Sequence, residues 1–344
     1  MEPSAVDERI GLSMKIVHGS INIANQMAVY VRGLQELGVE AYSVSYLKDY
    51  LDYSCDYTVD SAVDAITFAE EALKYFDLFH LHWGTVFHPQ YHDIPIYKQL
   101  GKKVLMNFWG SECRIESIAK SFNPRIKVKF HDEDLIKRKL EFLGKYVEHA
   151  VVADKELELY VKPFFKSVHY IPQAIVLDDY RGKDEGGIRK DENIVIAHAP
   201  TDREVKGTTH VLKAIRRLQA KGYPVVLDLI EGLSHDDAKE KYRLADIIID
   251  SLTEGCYGLF ALECLAMNKT VVGYISDVMR VWYPVELPIV SAHEGNVYGV
   301  LRSLIDKMLS GVRLDLNGVE YVRKYHDHLM VAQKLKTLYE EISV

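Results

Sequence analysis

The sequence predicts an α/β protein built from two parallel sheets, each covered by helices on both faces. From residue 14 onward, short apolar runs alternate with amphipathic helical patterns, which indicates right-handed crossovers between parallel strands. The alternation stops at the polar, glycine-bearing stretch 181–193 and then restarts, which predicts a linker between two domains. A chain of 344 residues is long enough for roughly two domains of ordinary size.

The predicted elements fall into two groups around that linker. Residues 14–180 carry predicted strands at 15–18, 41–46, 77–82, 103–108 and 150–153, with helices at 24–37 and 132–143. Residues 194–325 carry predicted strands at 194–198, 225–230, 245–250 and 270–275, with helices at 208–220 and 235–244. The stretch from residue 295 onward is predicted to be mostly helical, and residues 1–13, which have no apolar signal core, to be a loose extension.

Composition and charge narrow the class of protein. The chain is 48% hydrophobic and 27% charged, values typical of globular proteins. Its formal charge of −8 gives no broad electrostatic reason to expect nucleic acid as a partner. Four scattered cysteines without CxxC or zinc-ligand spacing favour free thiols in a reducing cytoplasm.

Basic residues cluster in one segment, residues 120–139. A basic, partly amphipathic segment can rest on anionic lipid, which would give weak peripheral contact with the inner membrane face. The alternative is a solvated helix face. No run of the sequence approaches the ~20 apolar residues of a membrane-spanning helix.

Several common chemistries lack their motifs. The first strand-to-helix turn, HGSINIAN, has one glycine where a dinucleotide fingerprint needs three, and GxxxxGK[ST], HExxH and GxSxG are all missing from the sequence. His80 and His82 alternate on a predicted strand and therefore face the same side. Because no third ligand is evident, we expect hydrogen bonding at the cleft rather than metal binding from this pair.

Glu263 is the single carboxylate in an otherwise apolar helical run between two predicted strands, within residues 251–275. An ionised glutamate is costly to bury without partners. In the predicted helix it lies in the second turn, roughly 8 Å along the axis from Gly258, where it can serve a ligand at the helix N-terminus. The alternative is an ordinary salt bridge to a neighbouring lysine or arginine.

A second unit of the same kind lies about fifty residues upstream. The strand 194–198 is followed by the loop TDREVKG, so Arg203 and Lys206 stand at a strand's carboxyl end, beside a helix N-terminus. Backbone amides, the helix dipole and two cations together suit a phosphate group. Solvated basic side chains in an exposed loop are the alternative.

Small and polar residues recur at the carboxyl ends of the predicted strands, where α/β sheets bind ligands. They include Gly19, His82, Trp109, Glu112, Thr201 and Glu231. Two sheets that present such ends across a cleft would suit a transferase with two substrates.

These residues resemble the nucleotide-sugar glycosyltransferases of family 4, which have the GT-B fold of two facing Rossmann-like domains. The resemblance covers almost the whole chain from Met14 and is strongest over residues 171–275. The run GLFALECLA at 258–266 resembles the family's G-L-x-x-L-E-A-M-A, and the segment at 171–180 resembles its entry into the second domain. The resemblance implies that a terminal helix, residues 326–344, crosses back onto the first domain.

The resemblance also implies roles for individual residues. Arg203, Lys206 and Gly207 match the family's Arg and Lys-Gly pair, which holds the donor diphosphate. Glu263 matches the second glutamate of the E-x7-E motif, which binds the ribose hydroxyls. The predicted donor site comprises Gly19, Asn22, Thr201, Arg203, Lys206, Gly207, Glu231, Tyr257, Gly258, Leu259 and Glu263.

The sequence departs from the family pattern in three places. Gly255 stands where E-x7-E has its first glutamate, with Glu254 one residue early and Tyr257 in the usual aromatic position. In the first domain, NFWGSECR has Trp109 in place of a histidine and Glu112 in place of an aspartate, so the acceptor-side histidine is either absent or supplied by His82. The first turn has one glycine where many members have two, although Gly19 and Asn22 remain able to approach the phosphate.

The sequence therefore predicts a glycosyltransferase that moves a sugar from a nucleoside diphosphate sugar, UDP or GDP, to an unidentified glycan, lipid-linked, protein or small-molecule acceptor. Retention of anomeric configuration is expected, with Arg203, Lys206 and His82 as the catalytic residues. No cofactor and no metal are expected, because protein cations replace the metal at the diphosphate. The alternatives are an epimerase-type enzyme that acts on the nucleotide sugar alone and a non-catalytic binding or partner subunit.

Overall fold

A computed structural model describes residues 14–46, 53, 55–180, 193–312, 314 and 316–343. The expected N-terminal extension and, apart from Asn193, the expected linker lie outside the described residues. Among the described residues, no helix is long and apolar enough to cross a membrane.

The first sheet has seven parallel strands in the order β3-β2-β1-β4-β5-β6-β7. The strands are β1 (Ile16–Ser20), β2 (Ala41–Ser45), β3 (Tyr57–Thr58), β4 (Leu78–His82), β5 (Lys103–Phe108), β6 (His149–Val152) and β7 (Ser167–Tyr170). The helices of this part are α1 (Gln26–Glu36), α2 (Ala62–Tyr75), α3 (Asp93–Gln99), α4 (Glu116–Phe122), α5 (Glu133–Gly144) and α6 (Glu158–Val161). From β1 the chain adds strands in one direction to β3, and from β4 it adds strands in the opposite direction to β7. The sheet is therefore doubly wound, and its direction of strand addition reverses between β1 and β4.

The second sheet has five parallel strands in the order β12-β11-β10-β8-β9. The strands are β8 (Ile194–His198), β9 (Val225–Leu229), β10 (Ile247–Ile249), β11 (Thr270–Gly273) and β12 (Ile289–Ser291). The helices are α7 (Thr208–Ala220), α8 (His235–Leu244), α9 (Leu259–Ala266), α10 (Asp277–Trp282), α11 (Val297–Leu309), α12 (Gly318–His326) and α13 (His328–Ser343). Here the winding reverses between β8 and β10. Buried apolar clusters cover both faces of each sheet, as the sequence predicted.

Strong apolar periodicity predicted the central elements well. The predictions for β5, β8, α7 and α8 match residue for residue, and most other predicted elements differ by one to three residues at an end. Three edge strands, β3, β7 and β12, were not predicted, because they are short and less buried than the equally short central strands β6 and β10. Helix α2 was missed because its buried face consists of alanines, whereas its larger side chains Val63 and Ile66 are exposed.

The C-terminal helix crosses back to the first sheet, as predicted. Helix α12 packs in the second half of the molecule through Tyr321 and Val322. The chain then passes through Asp327, which forms a parallel bridge with Ile175 on the outgoing crossing. Helix α13 follows and buries its apolar side chains beside those of α1. The two crossings therefore lie side by side.

Gly33 sets the close approach of α1 and α13. A Cβ atom at this position would lie 2.8 Å from both Ala332 Cβ and the backbone oxygen of His328. We expect Gly33→Ala to lower the free energy of unfolding by roughly 1–3 kcal/mol, because the helices must separate to admit the methyl group. Chemical denaturation of the full chain measures this change.

Gly299→Ala is the matched control for that prediction. Gly299 is exposed in α11, and a Cβ atom there would meet nothing within 4 Å. The same substitution should stabilise the protein by up to about 1 kcal/mol through helix propensity alone. Equal effects of the two substitutions would contradict the packing argument.

Candidate functional site

Two loops from the reversal point of the second sheet form the core of the candidate site. One follows β8 and leads through residues 199–207 into α7, and the other follows β10 and leads through residues 250–258 into α9. Because the connections from β8 and β10 run to opposite sides of the sheet, a crevice opens between their carboxyl ends. This is the place where the sequence analysis located Lys206 and Gly258.

Lys206 is held between two carboxylates from the second loop. Its ammonium nitrogen lies 3.1 Å from Asp250 Oδ1 and 2.7 Å from Glu254 Oε2. Burial alone would lower the pKa of Lys206, but the charges of Asp250 and Glu254 outweigh burial and raise that pKa. Gly207 follows with a φ of +73°, and this left-handed residue turns the chain into α7. Lys206 is therefore a permanent cation at the crevice.

Glu254 links the two sheets. Besides Lys206, its carboxylate lies 3.8 Å from a guanidinium nitrogen of Arg114, which follows β5 of the first sheet. Arg114 in turn makes a two-pronged pair with Glu156, with both N–O distances at 2.9 Å. Burial would raise the pKa of Glu254, yet Lys206 and Arg114 lower it. These charges form a continuous chain across the cleft.

Further polar contacts between the halves fix the second loop in place. The side-chain amide of Asn123 donates to the backbone oxygens of Thr253 and Glu254, both at 2.9 Å. Tyr283 donates from its hydroxyl to Asp154, and Arg125 pairs with Glu294. The carboxyl ends of the two sheets therefore face each other across a polar contact zone.

Gly255, which stands where the family pattern has a glutamate, has a structural explanation. Its φ is +82°, and a Cβ atom there would lie 2.7 Å from Asn123 Nδ2 and 3.0 Å from Ser276 Cβ. A side chain at this position is excluded by the contact with the first half of the molecule. The carboxylate one residue earlier, on Glu254, points instead to Lys206.

Glu263 lies in the second turn of α9, as predicted, and is buried. Its Oε1 atom accepts hydrogen bonds from Tyr180 and His235, both at 2.8 Å. The helix begins after Gly258 without a side-chain cap, so its first amides are not used by a capping side chain. Among the described residues, Glu263 has no salt bridge to a lysine or arginine, which was the alternative.

One cavity of about 270 Å³ brings most of the predicted donor residues together. Its lining includes Thr201, Lys206, Glu231, Gly258, Leu259 and Glu263. Ala24, from the loop after β1 of the first sheet, also lines it. A second cavity of about 220 Å³ shares Thr201, Lys206 and Gly258 and extends to Trp109, Arg114 and Tyr257. The two spaces meet at Lys206.

Other predicted residues lie outside both cavities. Arg203 is exposed and makes a two-pronged pair with Glu231, at 2.8 and 2.5 Å. Gly19 is buried, and a Cβ atom there would lie 2.2 Å from the ring of Phe87, so packing requires this glycine. Asn22 uses its side chain within its own loop, where its Oδ1 accepts from the amide of Met27.

The predicted acceptor-side residues form a layered arrangement. Trp109 lines the second cavity, and the ring of His82 stacks behind it at 5.7 Å and 11°. Glu112 accepts hydrogen bonds from the amides of Trp109 and Gly110, at 2.5 and 2.9 Å, and so shapes the loop. Burial raises the pKa of Glu112, whereas those amides lower it.

The expectation for the histidine pair was wrong in two respects. His80 and His82 are fully buried. They lie on the same sheet face as Leu78, which packs against residues of α1 and α13, so they do not face the cleft. A third imidazole is present, since His18 Nδ1 lies 3.1 Å from His82 Nε2. Burial lowers the pKa of His80 to about 3, and it lowers the pKa values of His18 and His82 well below their ordinary range. Burial therefore favours the neutral form of all three rings.

Sequence reasoning missed the residues whose partners are distant in the chain. Arg114 and His235 were not singled out, because nothing local marks a residue whose partner lies far away in the chain. Tyr180 was part of the segment matched to the family, but its bond to Glu263 depends on the fold.

Cations of the basic segment 120–139 mostly pair with carboxylates. Lys120 pairs with Glu116 at 2.5 Å, Lys137 with Glu133 at 3.2 Å, and Lys127 lies 3.7 Å from Glu204. Contact with a membrane surface remains a prediction for this segment. All four cysteines are free thiols.

Comparison with known proteins gives a clear result for the fold. No protein-family model matches the chain, and no curated protein matches its sequence. Sucrose-phosphate synthase from Thermosynechococcus elongatus superposes with a TM-score of 0.65 at 14% identity, over 95% of this chain and 99% of that one. HepE from Anabaena in complex with UDP-glucose gives 0.64 at 10% identity, over 95% and 100%. The UDP-GlcNAc 2-epimerase from Methanocaldococcus jannaschii gives 0.56 at 10%, over 95% and 99%.

The chain therefore has the GT-B fold, with two Rossmann-like units whose strand ends face each other. This agrees with the resemblance that the motifs at 203–207 and 258–266 indicated. Transferases and an epimerase share the fold, so its architecture alone does not select one reaction.

The pH dependence of stability is expected to report on Asp154 in the contact zone. Burial raises its pKa from 3.8 to about 6, whereas the Tyr283 hydroxyl opposes that rise. The Asp154 carboxyl thus holds its proton more tightly in the folded protein than in the unfolded chain. Between pH 3.8 and about pH 6 the stability of the fold therefore falls as pH increases. Asp154→Asn should make the melting temperature less dependent on pH in that interval, as measured by calorimetry.

Asp306→Asn, which alters an exposed carboxylate of α11 that lines neither cavity, is the control for that measurement. Its pH profile should follow that of the unmodified protein. Parallel profiles for all three proteins would show that Asp154 does not retain its proton in the fold.

Proposed function

We propose that this protein is a glycosyltransferase that moves a sugar from a nucleoside diphosphate sugar to an acceptor. The observation that carries the proposal is the 270 Å³ cavity, which has the carboxylate of Glu263 and the cation of Lys206 in its lining. The ribose hydroxyls of a nucleoside diphosphate need a hydrogen-bond acceptor, and its phosphates need a cation. Glu263 offers the first and Lys206 the second.

The ribose end of the proposed site is built around Glu263. Tyr180 and His235 hold one carboxylate oxygen, which orients the group and leaves other lone pairs for hydroxyl donors. UDP is the first nucleotide to test, because HepE has this fold and its structure contains UDP-glucose. GDP is the second.

Phosphate binding would rely on Lys206 and the first amides of α9. The uncapped start of this helix provides N–H groups and the positive end of a dipole. These groups would stabilise the charge that grows on the departing diphosphate. Arg203 is exposed, so we propose that it exchanges Glu231 for a phosphate oxygen when the donor binds.

The acceptor would enter from the second cavity, beside Trp109. His82 is buried behind this ring, and we assign it the positioning of Trp109 rather than contact with the acceptor. Transfer would retain the anomeric configuration, with the leaving phosphate taking the acceptor proton. We propose that this step needs no metal at the diphosphate, because Lys206 and the helix amides occupy that role.

Two other functions have specific support. An epimerase that acts on the nucleotide sugar alone is favoured by the UDP-GlcNAc 2-epimerase, which matches over 95% of this chain. A non-catalytic binding subunit is favoured by the two carboxylates that already balance Lys206. Incubation with donor alone separates these cases, because an epimerase would convert the sugar without an acceptor and a binding subunit would leave it unchanged.

Glu263→Gln should weaken nucleotide binding at least tenfold, because the amide cannot accept ribose hydroxyls as strongly as a carboxylate does. In a thermal-shift panel without added metal, UDP or GDP should raise the melting temperature of the unmodified protein, and the variant should lose this rise.

Glu286→Gln is the matched control, since Glu286 is an exposed carboxylate of the second half that pairs with Lys324. It should keep the full nucleotide shift. If no nucleotide stabilises the unmodified protein, the donor site proposed here is wrong.

Lys206→Met should reduce the rate of sugar transfer or of donor hydrolysis by roughly a hundredfold or more, the usual loss for one electrostatic contact to a developing oxyanion. The variant also leaves Asp250 and Glu254 without their cation, which destabilises the loop. Donor turnover is measured by release of the nucleoside diphosphate.

The double variant Lys206→Met, Glu254→Gln separates these two effects. It removes the negative charge of Glu254 together with the lysine, whereas Asp250 remains without its cation, so it should restore part of the stability without restoring turnover. Recovery of turnover in the double variant would show that Lys206 serves only to neutralise Glu254.

A further inference from the structure

Three histidines from two neighbouring strands lie together between the first sheet and the helices α1 and α13. His18 on β1 is paired in register with His80 on β4, and His82 lies two residues further on the same sheet face. One ring nitrogen of each lies within 4.8 Å of the others. In the part of the chain that the structure describes, this is the one group of at least three histidine, cysteine or carboxylate ligands with such spacing.

Tyr339 of α13 determines which ring nitrogens remain available. Its hydroxyl oxygen lies 3.0 Å from His18 Nε2 and 2.6 Å from His80 Nδ1. The other nitrogens are His18 Nδ1 and His80 Nε2, and His18 Nδ1 lies 3.1 Å from His82 Nε2. Two imidazole nitrogens bound tetrahedrally to zinc at ~2.0–2.1 Å are roughly 3.3 Å apart. His18 and His82 are thus already near that spacing.

Unpaired polar atoms are concentrated at this cluster. Seven buried side-chain nitrogen or oxygen atoms among the described residues have no hydrogen-bond partner, and four of them belong to His80, His82, Asn107 and Trp109. An unpaired buried polar group destabilises the fold. Because Tyr339 occupies the other nitrogen of His80, Nε2, which lies beside the Asn107 side chain, is the nitrogen left to bind a ligand.

We propose that His18, His80 and His82 bind a divalent transition-metal ion of the zinc type through His18 Nδ1, His80 Nε2 and His82 Nε2. Neutral imidazole is a preferred ligand of zinc, and three histidines with one further position form an established zinc set. Asn107, in register with His82 on β5, carries an unpaired side-chain oxygen that suits the fourth position.

The surroundings supply the second layer of contacts that metal-bound histidines require. In the proposed site, the N–H groups at His18 Nε2 and His80 Nδ1 each donate a hydrogen bond to the Tyr339 oxygen. These bonds fix the orientations of the two rings. The ion would therefore join β1 and β4 to the C-terminal helix. None of its three ligands lines the cavities at Lys206, so its role would be structural, and the proposal does not depend on the function proposed above.

A metal-free network is the competing explanation of the same contacts. His82, His18, Tyr339 and His80 can form one chain of hydrogen bonds through the distances given above. That chain leaves His82 Nδ1 without a partner and His80 Nε2 beside the side chain of Asn107. The metal gives His80 Nε2 and the Asn107 oxygen a shared partner, but it leaves the hydroxyl hydrogen of Tyr339 without an acceptor.

Metal analysis of the full chain tests the proposal. The protein is expressed in zinc-supplemented medium, purified without a histidine tag and measured by plasma mass spectrometry, with about one zinc ion per chain expected. After chelation, Co²⁺ should produce the visible absorption of a tetrahedral site, and Zn²⁺ should raise the melting temperature. His80→Gln should lose all three signals.

His169→Gln is the matched control, because His149 and His169 form a histidine pair with a 3.2 Å contact but without a third histidine. This variant should retain the metal. If His80→Gln does not fold, the Co²⁺ spectrum and the zinc content of the unmodified protein decide alone. Absence of zinc together with the absence of a Co²⁺ band and of any thermal shift would overturn the proposal and leave a hydrogen-bonded core cluster.

Discussion

Five charges of alternating sign cross the cleft between the two sheets, and the geometry of the candidate site depends on them. Glu156 and Arg114 stand on the first sheet, and Glu254, Lys206 and Asp250 stand on the second. Isolated charges at such depth would be costly, but each one here has an opposite charge as its neighbour. Because Glu254 belongs to the loop that leads into α9, the same chain of charges also places the start of that helix.

Much of this fold could be predicted, because buried parallel strands and amphipathic helices each have a recognisable pattern of apolar residues in the local sequence. The runs at β5 and β8 and the helices α7 and α8 have apolar periods strong enough to fix both ends. Local patterns failed for elements whose formation depends on contacts with distant parts of the chain. Helix α2 packs through alanines, and β3 gains its hydrogen bonds only by lying beside β2.

The position of the candidate site could be predicted from the sequence, but most of its side-chain contacts could not. Strand-end reasoning located Lys206 and Gly258, and both line the cavity that also contains Glu263. The partners of those residues were not predictable, since Arg114 and Glu254 meet across 140 positions of sequence. From the sequence alone, Gly255 was a departure from the family pattern without an explanation. The structure attributes it to close packing against Asn123.

Charge balance at Lys206 has a consequence for any anionic ligand. A diphosphate that approaches this cation meets a charge already shared between two carboxylates, so its Coulombic gain is reduced by their repulsion. The amides of α9 carry no such opposing charge and point to the same space. In the proposed donor complex, the diphosphate would displace Glu254 from Lys206, and Glu254 would keep Arg114 as its partner. Since Arg114 is fixed by Glu156 on the opposite sheet, that exchange couples occupancy of the cleft to the contact between the two halves.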